Sequence, residues 1–425
     1  MTIVDIYEQR KDDPRWNTSY PLSPSDWSVF RVSGSLPFTS EKDLSFYIHI
    51  PFCRHLCAFC EYTKMRCPDV ELQKKYVQAV EKDIKAFRNK NNVFKLHGFD
   101  IGGGTPTVLS EKNFSFLMDI YDAAISGLSL SEDYEPSIEG TFATLTNGKL
   151  KRIVASGIRR LSLGVQSSCE SLMRHNNRSN VSEKGMEEWL DTAWRAGIEK
   201  INLDFMYGLN GQTKDTIDRD IEIISHLQPQ QVTLYELRTN MIFAKHIPSK
   251  DELFIQYSYY YDGLIGLGYY ARFGQNTFSK DTKDMGVSSY LRERMTNGMS
   301  YKGFGLSAQS MSKTGVSYNV GKGDSLLTKY LFYESFPEGY TYLLPPEELA
   351  SKYMAISAYN GSFSLSRLKE FGINEERVKA TLDFCVSEGL IEKGVGDRYN
   401  ITKNGFKYYG AVFSLFYAQF KMQVK

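Results

Sequence analysis

Between residue 44 and about residue 240, short apolar runs alternate with amphipathic stretches, and this alternation limits the possible folds more than any other feature of the chain. LSFYIHI (44–50), FKLHGFDIGG (94–103), PSIE (136–139), RRLSLGV (159–165), KINLDFMYG (200–208) and QVTLYEL (231–237) read as strands. Helical periodicity fills the intervals at 70–88, 110–126, 146–156, 182–196 and 213–227. Strands separated in this way pair in parallel, with right-handed crossovers. Six such units are too few for a closed eightfold barrel. The expected fold is α/β, a partial (β/α)6 TIM-like barrel over residues 44–240. Residues 1–43 then form an N-terminal arm, and 241–340 a less regular barrel extension contributing to the active site. Residues 341–425 form a C-terminal cap, in which short helices precede the hairpin-like EKGVGDRYNITKNG in a winged-helix-like order.

A parallel barrel carries its working residues at the C-terminal ends of its strands. The distinctive short motifs of this chain fall there in succession. Cys53, Cys57 and Cys60 follow the first strand, and GGGTPT (102–107) the second. The third ends at Glu139, the fourth at GVQS (164–167) and the fifth at LDFMYG (203–208). Three of six cysteines on one loop do not make a disulfide framework; thiolates so spaced serve zinc or an iron–sulfur cluster. On a [4Fe–4S] cluster, three protein thiolates leave one iron open to another ligand. Cys67, seven residues past Cys60 and beside Pro68, is left outside that set. The glycine run either makes a tight strand–helix turn or presents backbone groups to the amino and carboxylate ends of an amino acid.

Lys and Arg (51) balance Asp and Glu (50), which removes the basic footprint of nucleic-acid or anionic-membrane binding. MTIVDIYEQRKDDPRWN carries charges where a secretory apolar stretch would be, and no run of about 18 apolar residues occurs. A cytoplasmic monomer acting on a small molecule, with no nucleic-acid or membrane partner, is expected.

CxxxCxxC after a strand, followed by GGGTP, resembles the radical S-adenosylmethionine (SAM) superfamily. More narrowly, YIHIPFC (47–53), GGGTPT, RRLSLGVQS (159–167), INLDFMYGL-x-GQT (201–213) and YKGFGLSAQSMS (301–312) resemble the oxygen-independent coproporphyrinogen III oxidase-like (HemN-like) family. WNTSYP (16–21) resembles that family's N-terminal arm. The resemblance implies a [4Fe–4S] cluster on Cys53, Cys57 and Cys60, with SAM chelating the open iron. An electron from a partner such as flavodoxin or ferredoxin then cleaves SAM to a 5′-deoxyadenosyl radical, which abstracts hydrogen from the substrate. By motif, Gly103, Gly104 and Thr105 would meet the methionine part of SAM and Phe59 would pack on the adenine. Gln166, Arg178 and Asp204 would bind its other polar groups. Tyr47, Glu139 and Gln309 match positions that contact a second SAM, with Tyr47 and Glu139 the catalytic candidates.

The sequence departs from the oxidase pattern around the substrate. Tyr62 occupies the position of a fourth cysteine, Gln309 replaces an aliphatic residue, and Asn210 stands in place of a usual proline. SIEGTFATLT (137–146) also differs from the oxidase's strand end. The leading expectation is therefore transfer of a methyl or methylene group from a second SAM to an unsaturated carbon. Coproporphyrinogen III oxidation or another tetrapyrrole reaction is the alternative, and haem carriage without chemistry the third. The haem-chaperone branch usually has His in the loop that here carries Gln309, and lacks the TSYP arm.

Overall fold

The computed structural model describes residues 2–238, 248–321, 324–334 and 337–418, so the first residues of the expected extension, 241–247, lie outside the described residues. All six expected strands form within one residue of the expected bounds: β1 (Asp43–Ile50), β2 (Lys95–Gly103), β3 (Ser137–Gly140), β4 (Arg160–Gln166), β5 (Lys200–Tyr207) and β6 (Gln231–Glu236). They pair in chain order, every pair parallel. Between them run α1 (Val70–Arg88), α2 (Glu111–Ile125), α3 (Asn147–Ala155), α4 (Glu183–Ala196) and α5 (Lys214–Leu227). Each begins on a capping side chain, Asp69, Ser110, Thr146, Ser182 or Thr213, that accepts the N–H three residues on. Such caps contribute about 1 kcal/mol apiece.

The strands are buried on both faces, yet their residue types alternate. Phe46, Ile48, Phe99, Ile101, Leu161, Leu163, Ile201, Leu203, Val232 and Leu234 are fully buried and share one core with helix residues such as Val80, Leu117, Ile153 and Ile224. The opposite faces carry polar groups, set side by side by the register. Tyr47 lies beside Asp100, Asp100 beside Ser137, Ser137 beside Arg160, Glu139 beside Ser162, and Asp204 beside Thr233. A barrel of this type usually fills its interior with branched apolar side chains. Here the apolar contribution, about 1.5–3 kcal/mol per fully buried side chain, comes from the helix side. The lumen is left polar and hydrogen-bonded: Arg160 Nε donates to Gln231 Oε1 (2.8 Å), Asn202 Nδ2 to Asp204 Oδ1 (2.7 Å) and Thr233 Oγ1 to Asn202 Oδ1 (3.0 Å).

Among the described residues the sheet does not close. The free edge of β1 takes a further parallel strand, Tyr301–Phe304, which continues antiparallel through Gln309–Ser312, Gly315–Asn319 and Glu338–Leu343. At the other edge Thr277–Ser279 runs antiparallel to β6, in a sheet of 13 strands. The sequence pattern marks this region only as a less regular extension of the barrel, without its strands. Beyond it, Ser362–Ser364, Ile391–Lys393 and Arg398–Ile401 form a small antiparallel sheet beside helices Leu365–Glu370 and Glu375–Ser387. The hairpin of that sheet falls within EKGVGDRYNITKNG. The arm lies against this end of the molecule: Tyr20 Oη and Trp27 Nε1 both donate to Glu348 Oε2 (2.6 and 2.8 Å), and the Tyr20 ring meets Tyr417 at 4.7 Å. Among the described residues no helix is long and apolar enough to cross a membrane.

Candidate active site

Cys53, Cys57 and Cys60 lie on the loop between β1 and α1, and that loop is closed at both ends. Phe52–Cys53 pairs with Met65–Arg66, Met65 N–H donates to Pro51 O (2.8 Å) and Cys67 N–H to Cys53 O (2.9 Å). From the side, Ala58 N–H donates to Asn176 O (3.0 Å) and Asn177 Nδ2 to Leu56 O (3.0 Å). Lys64 Nζ holds the carbonyls of Cys57 and Cys60, the latter at 2.7 Å. Arg178 Nη1 approaches Cys57 Sγ at 3.6 Å, and Thr105 Oγ1 approaches Cys53 Sγ at 3.9 Å. Burial pushes the Cys53 thiol up to about 11 and raises Cys60, with the three thiols near enough to sense one another's charge. Metal loading must therefore displace protons. Cys67 accepts an N–H from Gln73 Nε2 at 3.3 Å.

The glycine loop is strapped to the chain entering the cysteine loop, by Gly104 N–H to Ile50 O (2.7 Å) and Thr105 N–H to Phe52 O (2.8 Å). Gly103 has φ +111°, and a Cβ there would lie 2.4 Å from His49 Nδ1. A Cβ on Gly102 would lie 2.4 Å from the Glu139 carboxyl. The protein's own packing thus already requires glycine, as the tight-turn reading holds. His49 is neutral, burial pushing it down to about 4, and its Nε2 meets Thr63 O at 3.0 Å.

Glu139 Oε2 accepts the Gly103 N–H at 3.1 Å and has no ion pair among the described residues. Burial pushes Glu139 up to about 7, Asp100 to about 7 and Asp204 to about 6. The buried guanidinium of Arg160 acts on all three, Arg178 also on Asp204 and Arg294 also on Asp100. Gln166, at the end of β4, has φ +66° and a buried Oε1 without a hydrogen-bond partner. The left-handed region costs a side-chain-bearing residue about 1–2 kcal/mol.

Tyr47, Glu139, Asp204, Tyr235, Arg238, Arg294, Gln309 and Lys352 are only half-buried. Desolvation is nonetheless the leading influence on each titratable member of that group. Their electrostatic influence on one another groups them around one poorly hydrated recess. Tyr47 stacks on Tyr290 with centroids 5.6 Å apart, and Gln309 lies between Tyr301 Oη and Tyr318 Oη. Phe59 packs against Leu172, Met173, Met206, Leu209 and Leu237. Tyr62 is 58% exposed, its phenol raised by the surrounding walls and lowered by Arg238. Arg238, at the end of β6, binds Glu61 of the cysteine loop (2.6 Å) and Thr18 and Ser19 of the arm (2.6 and 3.2 Å). Sequence reasoning missed His49, Lys64, Arg160, Arg238, Arg294 and Lys352. His49 and Arg160 sit on inward positions of strands already identified, which was a usable signal.

A family model described as the radical SAM superfamily matches residues 47–224, from Tyr47 in β1 to Ile224 in α5. The chain is 29% identical to the heme chaperone HemW of Lactococcus lactis over 54% of its own length and 60% of the relative's. It is 31% identical to the oxygen-independent coproporphyrinogen III oxidase of Salmonella typhimurium over 54% of its length and 50% of the relative's. The match thus spans between half and three-fifths of these curated relatives. The solved coproporphyrinogen III oxidase HemN of Escherichia coli, described as a radical SAM enzyme, has a TM-score of 0.72 and 21% identity, covering 88% of this chain and 90% of that one. Residues 47–224 are a radical SAM domain, and the chain is similar in sequence and in fold to HemN-like proteins. Its fold likeness to HemN extends well beyond the barrel.

A HemN-like radical SAM protein carries a [4Fe–4S] cluster and SAM, and the residues of this one fit both. Among the described residues, no three His, Cys, Asp or Glu side chains converge on a single metal ion. Thiolates of a cubane hold different irons and stand apart by the width of the cluster. Beside the thiols, the Glu139 carboxyl without an ion pair among the described residues and the unpartnered Gln166 Oε1 suit a cationic ligand rich in polar groups, which SAM is.

Proposed function

We propose that this HemN-like radical SAM enzyme abstracts a hydrogen atom from a carboxylate-bearing tetrapyrrole, the class of reaction for which its coproporphyrinogen III oxidase relatives are named. The carrying observation is the Glu139 carboxyl, desolvated, without an ion pair among the described residues and held on the Gly103 N–H, on the same strand ends as three thiols on one loop. A carboxyl held there without a counter-charge suits a cationic cofactor beside a cluster. Cys53, Cys57 and Cys60 would hold the cluster. Gly103, Gly104 and Thr105 would bind the methionine end of SAM, Phe59 the adenine, and Gln166, Arg178 and Asp204 its remaining polar groups. Bound together, the two groups supply one-electron cleavage of SAM to the hydrogen-abstracting 5′-deoxyadenosyl radical. Glu139 holds a proton near neutral pH and gives it up when a cation approaches. Tyr47 and the stacked Tyr290 exclude water from the reacting face. Residues 1–43 serve as the arm, 44–240 as the barrel, 241–340 as its extension and 341–425 as the cap. The protein works as a cytoplasmic monomer reduced by flavodoxin or ferredoxin, without nucleic-acid or membrane partners.

A second reading has a specific observation behind it. Tyr62 stands where the oxidase pattern has cysteine, and Glu139 with Tyr47 and Gln309 would accept a second SAM as donor of a methyl or methylene group to an unsaturated carbon. One anaerobic incubation tests both readings. With dithionite, coproporphyrinogen III and methyl-labelled SAM, the first reading gives loss of two carboxyl groups as carbon dioxide. The second gives label in the product. Haem binding without 5′-deoxyadenosine would leave only a chaperone.

A further inference from the structure

The recess also carries two cations from helices outside the six-strand unit. Arg294, on helix Ser289–Asn297, stands on two phenols: Nη1 donates to Tyr290 Oη (2.9 Å) and Nη2 to Tyr301 Oη (3.3 Å). Its guanidinium carbon lies 4.1 Å above the Tyr301 ring. These bonds use two of the five N–H groups a guanidinium carries. Lys352, on helix Pro346–Ser357 of the cap, donates to Tyr20 O at 2.7 Å. Neither cation forms an ion pair among the described residues. The carboxylate one turn before Lys352, Glu348, is already taken by Tyr20 and Trp27. The third cation, Arg238, has Glu61.

The two helices are in contact, Tyr353 Oη donating to Thr296 O (3.2 Å) and Ser357 Oγ to Met295 O (3.0 Å), and the unpaired cations they carry repel each other. Burial and the charges of Arg294 and Arg238 push the Lys352 ammonium down to about 7. Holding such charges out of water without an anion is costly. Arg294 and Tyr47 sense one another, as do Tyr47 and Glu139, so the cations and the acids share one recess. Glu139 is tied to the glycine loop by the Gly103 N–H, whereas Arg294 and Lys352 are held by the phenols and by the arm.

We infer that Arg294 and Lys352 together form a carboxylate-binding subsite, which takes a propionate-type side chain of the substrate and orients it relative to the three-cysteine loop. The inference rests on the proposed carboxylate-bearing substrate, and the test keeps the two separable. The probe is coproporphyrin III, a fluorescent tetracarboxylate already oxidised, titrated into the anaerobically reconstituted protein. Wild type is expected to bind it, more weakly as salt rises. Arg294→Gln and Lys352→Met should each weaken binding at least about tenfold, while Lys352→Arg stays within about threefold. Iron content and melting temperature establish that each variant is folded; if Arg294→Gln is not, the Lys352 pair decides. Wild-type binding unchanged in the variants overturns the subsite, and absence of wild-type binding overturns its ligand class. Binding with the expected losses, but no turnover of coproporphyrinogen III, refutes the proposed reaction and leaves the subsite standing.

Discussion

Glu139→Gln is the substitution whose consequences the structure defines most closely. Burial moves this carboxyl from 4.5 to about 7, and Gly103 N–H is its one hydrogen-bond donor among the described residues. A carboxyl raised in the folded state binds more protons there than in the unfolded chain between those two values. Its contribution to stability is therefore present at pH 4.5 and lost as pH rises through 7. The displacement corresponds to about 3 kcal/mol. The ligand-free Glu139→Gln variant should match wild type near pH 4.5 and exceed it above pH 7 by up to that amount. Cation binding runs the other way, because only the ionised carboxylate pairs with SAM. With a pKa near 7, about a tenth of Glu139 is ionised at pH 6 and about nine-tenths at pH 8, so SAM affinity should rise about tenfold between them. Anaerobic calorimetry on the cluster-loaded protein reads both the affinity and the proton released. In Glu139→Gln the rise should shrink to less than about threefold, the residue of Asp204 and Asp100, neither of which bonds the glycine loop. A full tenfold rise in the variant would refute the assignment of Glu139 to the cofactor's charge.

Further outcomes follow from the same geometry. Cys57→Ala should abolish the cluster absorption and SAM cleavage, since reconstitution to about four irons per chain needs all three thiolates; two irons or one zinc in wild type would also count against the assignment. Gln166→Gly relieves a left-handed side-chain-bearing residue, so it should gain about 1 kcal/mol in urea denaturation while losing SAM affinity. Arg238→Gln removes the clasp joining Glu61 to Thr18 and Ser19. It should cost about 1–3 kcal/mol and expose the arm to native-state proteolysis with the iron content retained.

The six strands were legible because each keeps its apolar residues on the helix side, which gives a period of two bounded by helical stretches. The same alternation already placed Tyr47, Asp100, Glu139, Arg160 and Asp204 on a common inner face, although only some were recognised as belonging together. The strands after residue 300 were not legible. They are short and rich in Tyr, Ser and Gly, and Tyr301–Phe304 is set beside β1 by a contact some 250 residues apart in sequence. Arg238, Arg294 and Lys352 stayed invisible for the same reason. Each comes from a different element, and only the folded chain shows that Lys352 meets the arm at Tyr20 rather than Glu348. The three cysteines announced a cluster, but the need for Gly102 and Gly103 came from packing against Glu139 and His49.

The central claim is hydrogen abstraction from the substrate, and the fate of one hydrogen atom tests it. Anaerobic protein carrying about four irons per chain would be given dithionite, SAM and coproporphyrinogen III deuterated along its propionate side chains. Mass spectrometry of the 5′-deoxyadenosine should show one deuterium gained, in amounts that depend on the substrate. Unlabelled 5′-deoxyadenosine whatever the substrate, or none at all from cluster-loaded protein, would contradict it.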